Sequence, residues 1–323
     1  MLQVELREDR IHVGERFSVG FQRTLRIPDD GRVYPLPPGL GAFPVHRVED
    51  YAGRVPASWR ESGGYFISLY QREALWMGFS GALWKPNAVK IGVGNINAVS
   101  GKPWDQELHD DPQDYLVCPQ QPWLDGINAG DGFIRQFIAM PLGSGYTVEG
   151  QLTGAEEFGG IQVLVYEPKP GRFPDAPPPR DATEPTATHS PVTGPPADEM
   201  GLAAGGMIRQ KIYPDQYGLP TWDRERCETS LVYIVNSEQY ARLTGRKPPL
   251  TPISAQTYIE RGFPWFDLYD EAEGDVARPG ELAGVKSIRE IDSEKGLSRG
   301  EEEGKCVPDS LVKKIRPSDS EKR

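Results

Sequence analysis

The chain is short of the residues that staple or arm a domain: 3 cysteines, 4 histidines and 5 methionines in 323 residues. Cys118, Cys227 and Cys306 lie 109 and 79 residues apart. That spacing gives neither a disulfide framework nor a CxxC metal site, and the three thiols read as reduced and inert, as in a cytoplasmic protein. His12, His46, His109 and His189 are too scattered for a HExxH centre. Long apolar runs are missing as well. The best candidate, residues 74–96, is broken by Lys85, Pro86, Asn87 and Lys90, which excludes a membrane-spanning helix there. No basic stretch leads into an apolar one at the N-terminus, so no secretory leader is expected. The closing Asp-Ser-Glu-Lys-Arg323 matches no lipidation or retention signal. Positive charge is scarce too. The 36 basic residues against 47 acidic ones leave a net charge of −11. A nucleic-acid binder needs a basic stripe to displace counterions, and an anionic membrane surface needs one to be attractive. Neither partner is expected.

Glycine and proline are abundant, 36 and 31 residues, beside an apolar fraction of 37%. Ten of the prolines fall in residues 167–200, which read as an extended mobile loop unable to pack a core. From 270 to 323, 25 of 54 residues are charged and none is aromatic. That tail reads as mostly disordered, with 282–288 able to dock locally. Between these, apolar residues recur with period two at 65–70, 74–79, 88–94, 133–140, 146–152, 161–166, 207–213 and 231–235. Gly, Pro, Asn or Asp punctuates the gaps, the pattern of antiparallel strands. Only 237–243 and 254–261 read as helices, each opening on Ser and stopping at Gly. The expected fold is mainly β: an antiparallel β-sandwich or distorted barrel with a small helical appendage and a disordered C-terminal tail. Gly132-Phe-Ile-Arg-Gln-Phe-Ile138 echoes Gly206-Met-Ile-Arg-Gln-Lys-Ile212 across the Pro-rich loop. The echo favours one discontinuous β-rich domain, 1–166 with 201–269, because the second strand has too few local partners to fold alone.

Three segments invite a functional reading. Alternation places Arg135, Glu149 and Gln151 on polar strand faces near Trp123 and Asp125, a platform suited to a polar ligand or, failing that, a solvated sheet face with a cross-strand ion pair. Asp125 and Glu149 are also the pair offered for glycosidase-type acid and base work. The loop Trp104-Asp-Gln-Glu-Leu-His-Asp-Asp-Pro-Gln-Asp114 supplies hard oxygen donors. Asp105, Asp110 and Asp111 with His109 are the metal candidates there, joined by Glu107 and Asp114, although the spacing is not that of an EF-hand. The glycine-rich 91–102 lacks the GxxxxGK[ST] spacing of a phosphate loop, and Gly78-Phe-Ser-Gly81 lacks the GxSxG elbow.

Gln121-Pro-Trp-Leu-Asp-Gly126, Arg135-Gln-Phe-Ile-Ala-Met-Pro-Leu-Gly143 and Gly145-Tyr-Thr-Val-Glu149 carry a resemblance. They are similar to signature blocks of a family of uncharacterised bacterial and fungal proteins. The likeness extends to 36–44, 159–162 and 262–267. It implies that the body is one unit. It carries over no activity, and the label of membrane protein attached to some members runs against the hydropathy here. With nucleophile, nucleotide and metal signatures failing on spacing, the expected role is a non-catalytic binding or assembly module without a cofactor. Its partner would be a protein or a second copy of the chain, and the alternative is a carboxylate hydrolase.

Overall fold

Period-two alternation becomes strand at Tyr65–Leu69, Ala74–Ser80, Asn87–Val93, Phe133–Pro141 and Ile161–Pro168. The computed structural model describes residues 2–176, 199–250, 254–268, 274–297 and 306–315. Seventeen strands join in one mostly antiparallel sheet that does not close into a barrel. One arm runs through Arg10–Val13, Phe17–Thr24, Ala74–Ser80, Phe133–Pro141 and Glu199–Arg209. The other runs through Trp222–Asn236, Ile161–Pro168, Asn87–Val93 and Leu116–Cys118. They meet where Glu199 and Met200 pair with Val235 and Ile234. Val19, Phe21, Met77 and Phe137 from the first arm share one apolar cluster with Val89, Ile91, Val163 and Val165 from the second. Two sheet arms facing one core is the sandwich solution to burying a one-sided apolar face.

The two echoing segments are antiparallel neighbours: Ile134 faces Ile208 and Arg135 faces Met207. Residues 177–198 of the Pro-rich loop lie outside the described residues, but the strands on either side of it are tied into this sheet. The strand expected at 207–213 starts earlier, at Glu199. Its run of small residues hid it, and the reason for them is close approach: a Cβ on Gly206 would stand 2.4 Å from the Pro28 carbonyl oxygen.

Among the described residues five short α-helices flank the sheet: α1 (Ala57–Ser62), α2 (Val148–Thr153), α3 (Ser237–Thr244), α4 (Ala255–Glu260) and α5 (Ile288–Glu294). The expected helices are α3 and α4. The segment 146–152, expected as a strand, is α2 instead. Thr147 Oγ1 accepts the Gly150 N–H at 3.0 Å and Gly154 closes the helix in the left-handed region, so both end signals of a helix are present.

Part of the charged tail belongs to the body. Leu282, Val285, Ile288 and Ile291 recur every three residues and are all buried. Asp292 of α5 takes both guanidinium N–H groups of Arg72 at 2.7 and 2.8 Å, and Val312–Ile315 adds in parallel to Trp265–Leu268. The apolar residues of the tail are few, and most of the described ones are spent on docking, Leu297 being exposed. A capping box starts α5: Ser287 Oγ accepts the Glu290 N–H while Glu290 accepts the Ser287 N–H. Ser287→Ala is expected to cost about 1 kcal/mol of unfolding free energy and to hasten proteolysis of 281–297. Urea titration with limited digestion measures both, and an unchanged midpoint with unchanged digestion would refute the capping role.

Candidate functional site

The polar platform expected from alternation is not assembled as a ligand surface. Trp123 is fully buried, edge-on to Trp76 with ring centroids 6.4 Å apart. Asp125 is fully buried and accepts Gln210 Nε2 at 2.8 Å, while its own N–H donates to Gln210 Oε1. Glu149, on α2, is buried and accepts the backbone N–H groups of Glu157, Phe158 and Gly159 at 3.0–3.2 Å. Arg135 and Gln151 do bind a segment, and it is the chain's own tail. Arg135 donates to Glu290 at 3.2 Å, and Gln151 exchanges hydrogen bonds with the Lys286 backbone. Burial works against the Glu290 charge, but the Ser287 N–H and Arg135 outweigh it and hold the carboxyl below its ordinary range.

The acidic loop lies over the outer face of strand Asn87–Val93. Gly92 admits the Trp104 ring, which a Cβ would meet at 2.6 Å. Asp105, His109 and Asp114 bring possible ligand atoms within 4.8 Å of one another, but Lys90 already supplies a cation to the carboxylates. Its ammonium stands 2.6 Å from Asp105 Oδ1 and 2.8 Å from Asp114 Oδ2, and donates to the Glu107 carbonyl. Lys90 is 1% exposed and its Nζ lies 5.6 Å from the Trp104 ring centroid. His109 Nδ1 is 2.8 Å from Asp114 Oδ2. Burial opposes the Asp105 charge, yet the Lys90 hydrogen bond, the Glu107 N–H and the neighbouring positive charges keep its carboxyl below the usual range. Asp110 and Asp111 point to no common centre with these; they are exposed on the loop, and Glu107 pairs with Arg224 at 2.8 Å. The sequence signal for Lys90 is a lone lysine on the outer face of an apolar strand, opposite Val89 and Ile91, with an acid-rich loop fifteen residues on.

Two clefts carry exposed charge beside aromatic or apolar surface. One, of about 580 Å³, is lined by Tyr70, Arg72, Tyr146, Glu238, Lys295 and Leu297. Its cations are engaged internally: Arg72 by Asp292, and Lys295 by the Ser144 carbonyl at 2.6 Å and the Tyr146 ring at 4.0 Å. The other, of about 380 Å³, opens between the segment Arg32 to Pro35, the end of strand Glu199–Arg209, and the paired strands Trp265–Leu268 and Val312–Ile315. Arg32, Arg209 and Lys314 ring it, with Tyr34, Val33, Val307 and Val312 as apolar wall. Asp267 and Asp309 also line it, and Arg209 reaches Asp267 at 3.3 Å. The Arg32 and Arg209 side chains stay half exposed, 55% and 50%, although Arg32 also pairs with Asp30 at 3.7 Å, and Lys314 makes no ion pair among the described residues. Burial, together with a hydrogen bond to Asp30, raises the Tyr34 phenol well above its usual value, so its O–H remains a donor. The exposed Cys306 thiol accepts from Arg32 at 3.6 Å. These residues come from four separated stretches of chain, and no sequence motif joins them. No family model, no curated protein and no solved structure matches this chain.

Proposed function

We propose that the protein is a non-catalytic binding module that holds an acidic segment of a protein partner in the Arg32–Arg209–Lys314 cleft. The observation that carries this reading is three solvent-reachable cations, Arg32 and Arg209 each in one weak ion pair and Lys314 in none among the described residues, around an apolar-walled cleft on a chain of net charge −11. Guanidinium groups match carboxylates in two-point geometry. At physiological salt, charges beyond about 8 Å are largely screened, so a carboxylate in the cleft responds to the charges that line it, three cations against Asp267 and Asp309, more than to the net charge. The hydrolase alternative has no comparable support, since Asp125 and Glu149 are both buried and hydrogen-bonded inside the fold and line neither cleft.

Fluorescence anisotropy with a glutamate-rich peptide carrying one phenylalanine, against a lysine-rich control, tests the reading. The acidic peptide should bind and the control should not. Arg209→Glu with Lys314→Glu should weaken binding at least about tenfold, since one charged hydrogen bond is worth about 1.5–3 kcal/mol. Equal binding of both peptides, or unchanged affinity in the double variant, would overturn it.

A further inference from the structure

The geometry around Lys90 points to a covalent bond: we propose that Lys90 Nζ and the Asp114 carboxyl condense to an intramolecular amide, with Asp105 and His109 as the groups that move the protons. Nothing in the binding role uses these residues, and the proposal stands apart from it.

The reacting pair is fixed and dry. Lys90 sits at the middle of Asn87–Val93, a strand paired with Ile161–Pro168 on one side and with Leu116–Cys118 on the other. Its side chain is 1% exposed and Asp114 is 3% exposed. Ala88, Leu108, Tyr115, Leu164 and Tyr166 form the surrounding apolar cluster, with Trp104 against it. Nζ lies 2.8 Å from Asp114 Oδ2, so the carboxyl carbon is one bond further on. Two groups held this way react as if at an effective concentration far above any in solution.

Each proton has a partner. Asp105 Oδ1, 2.6 Å from Nζ, takes the proton that frees the amine lone pair. His109 Nδ1, 2.8 Å from Asp114 Oδ2, protonates the oxygen that departs. Asp114 Oδ1 accepts the His109 backbone N–H at 2.9 Å, a donor placed for the oxyanion that forms on attack. The balance closes without oxidant or cofactor. Lys90 enters as –NH₃⁺ and Asp114 as –COO⁻. The N–C bond forms, the C–Oδ2 bond breaks, and Nζ gives up two hydrogens. Oδ2 takes one proton directly from the nitrogen 2.8 Å away and one from His109 Nδ1 and leaves as one water; the proton held by Asp105 returns to His109 through solvent, so both groups end as they began and the Lys90 and Asp114 charges cancel. Asp105 is 49% exposed and marks the side on which the water escapes.

The test is intact mass of the full chain, taken under denaturing and reducing conditions after incubation of the native protein. The expected mass is one water below that of the sequence. Trypsin should then fail to cut after Lys90, and chymotrypsin, cutting between the partners at Trp104 or Leu108, should release a branched peptide joining Lys90 to Asp114. Lys90→Arg should restore the full mass. The branched peptide separates this bond from water loss at Asp125-Gly126 or Asp131-Gly132, which leaves a linear peptide. A full sequence mass with normal cleavage at Lys90 would overturn the proposal, as would a water deficit mapping to any other site. Because the primary reading is on the natural sequence, it does not depend on a variant folding.

Discussion

Glu149→Ala is expected to unfold far more easily than the natural chain. The carboxylate is the acceptor for three consecutive backbone N–H groups, of Glu157, Phe158 and Gly159, in a site 3% exposed. Removing it leaves the buried Gly159 N–H and the part-buried N–H groups of Glu157 and Phe158 without this acceptor. Each such donor costs about 1–3 kcal/mol, and with partial entry of water the sum is about 3–5 kcal/mol. For a chain of this size that is a fall of about 10 °C in Tm. Glu149→Gln separates the hydrogen bonds from the packing. The amide keeps the shape and one acceptor oxygen but turns an N–H₂ toward a backbone N–H, so about half the loss is expected. Thermal and urea unfolding of the three proteins measure this. An alanine variant within 1 kcal/mol of the natural chain would show that the loop 157–159 is satisfied by other means. The local structure agrees with the prediction, since a Cβ on Gly94 would meet Glu149 Oε2 at 2.6 Å and the carboxylate has nowhere else to go.

The same residue shows where the sequence is legible and where it is not. Strands such as Asn87–Val93 and Ile161–Pro168 announce themselves because a buried sheet imposes its period of two on the side chains. Tyr146-Thr-Val-Glu149 imitates that period by chance over four residues. What distinguishes it is end chemistry, Thr147 with the Gly150 N–H and Gly154 in the left-handed region, and this signal is weaker in sequence than alternation. Polarity misleads in a second way. Arg135, Glu149 and Gln151 stand out because polar residues beside a core must bond to something. Nothing in the sequence says that the partner is the backbone of 157–159 or the tail at 286–290. The tail itself looks featureless because its charge hides four apolar residues spaced by three. The cleft is invisible for a different reason: Arg32, Arg209 and Lys314 come together through the parallel pairings of Val33 with Met207 and Trp265 with Val312 and through the Leu36–Phe266 bridge that joins them, contacts between distant parts of the chain. Lys90 is the intermediate case. Alternation puts it on the outer face, and the acid-rich loop nearby is the natural place for its counterions, but its burial under that loop and the choice of Asp105 and Asp114 among five carboxylates are made by the fold.

Lowering the pH from 7 to 4 is expected to remove about 3 kcal/mol of stability through His46 alone. The ring is 8% exposed and stacked beside Phe66 at 5.0 Å, edge-on to Tyr51 at 5.4 Å, with Nε2 2.7 Å from the Tyr240 hydroxyl. Burial, helped by the positive charge of Arg246, lowers its pKa from 6.5 to about 4. The unfolded chain therefore binds a proton below pH 6.5 while the folded one refuses it until about pH 4. Stability is fully present above pH 6.5 and drains away through that window, and at 1.36 kcal/mol per pKa unit the loss is about 3 kcal/mol. His12, lowered mainly by burial and by Arg7 and Arg10, acts in the same direction. Glu73 acts in the opposite one: burial raises its carboxyl despite the Tyr70 N–H and Arg23, so protonation favours its folded form. His46→Phe isolates the histidine. The ring stays and the Tyr240 hydroxyl loses its partner, so the variant should be less stable at pH 7 by about 1 kcal/mol. Its stability should fall less steeply with acid, and the natural chain should lose its advantage and drop below the variant before pH 4. Urea unfolding at half-unit pH steps reads both curves. Parallel curves would mean that His46 takes up its proton at the same pH in the folded chain as in the unfolded one, which would require the aromatic box to admit water and the Tyr240 hydroxyl to act as acceptor.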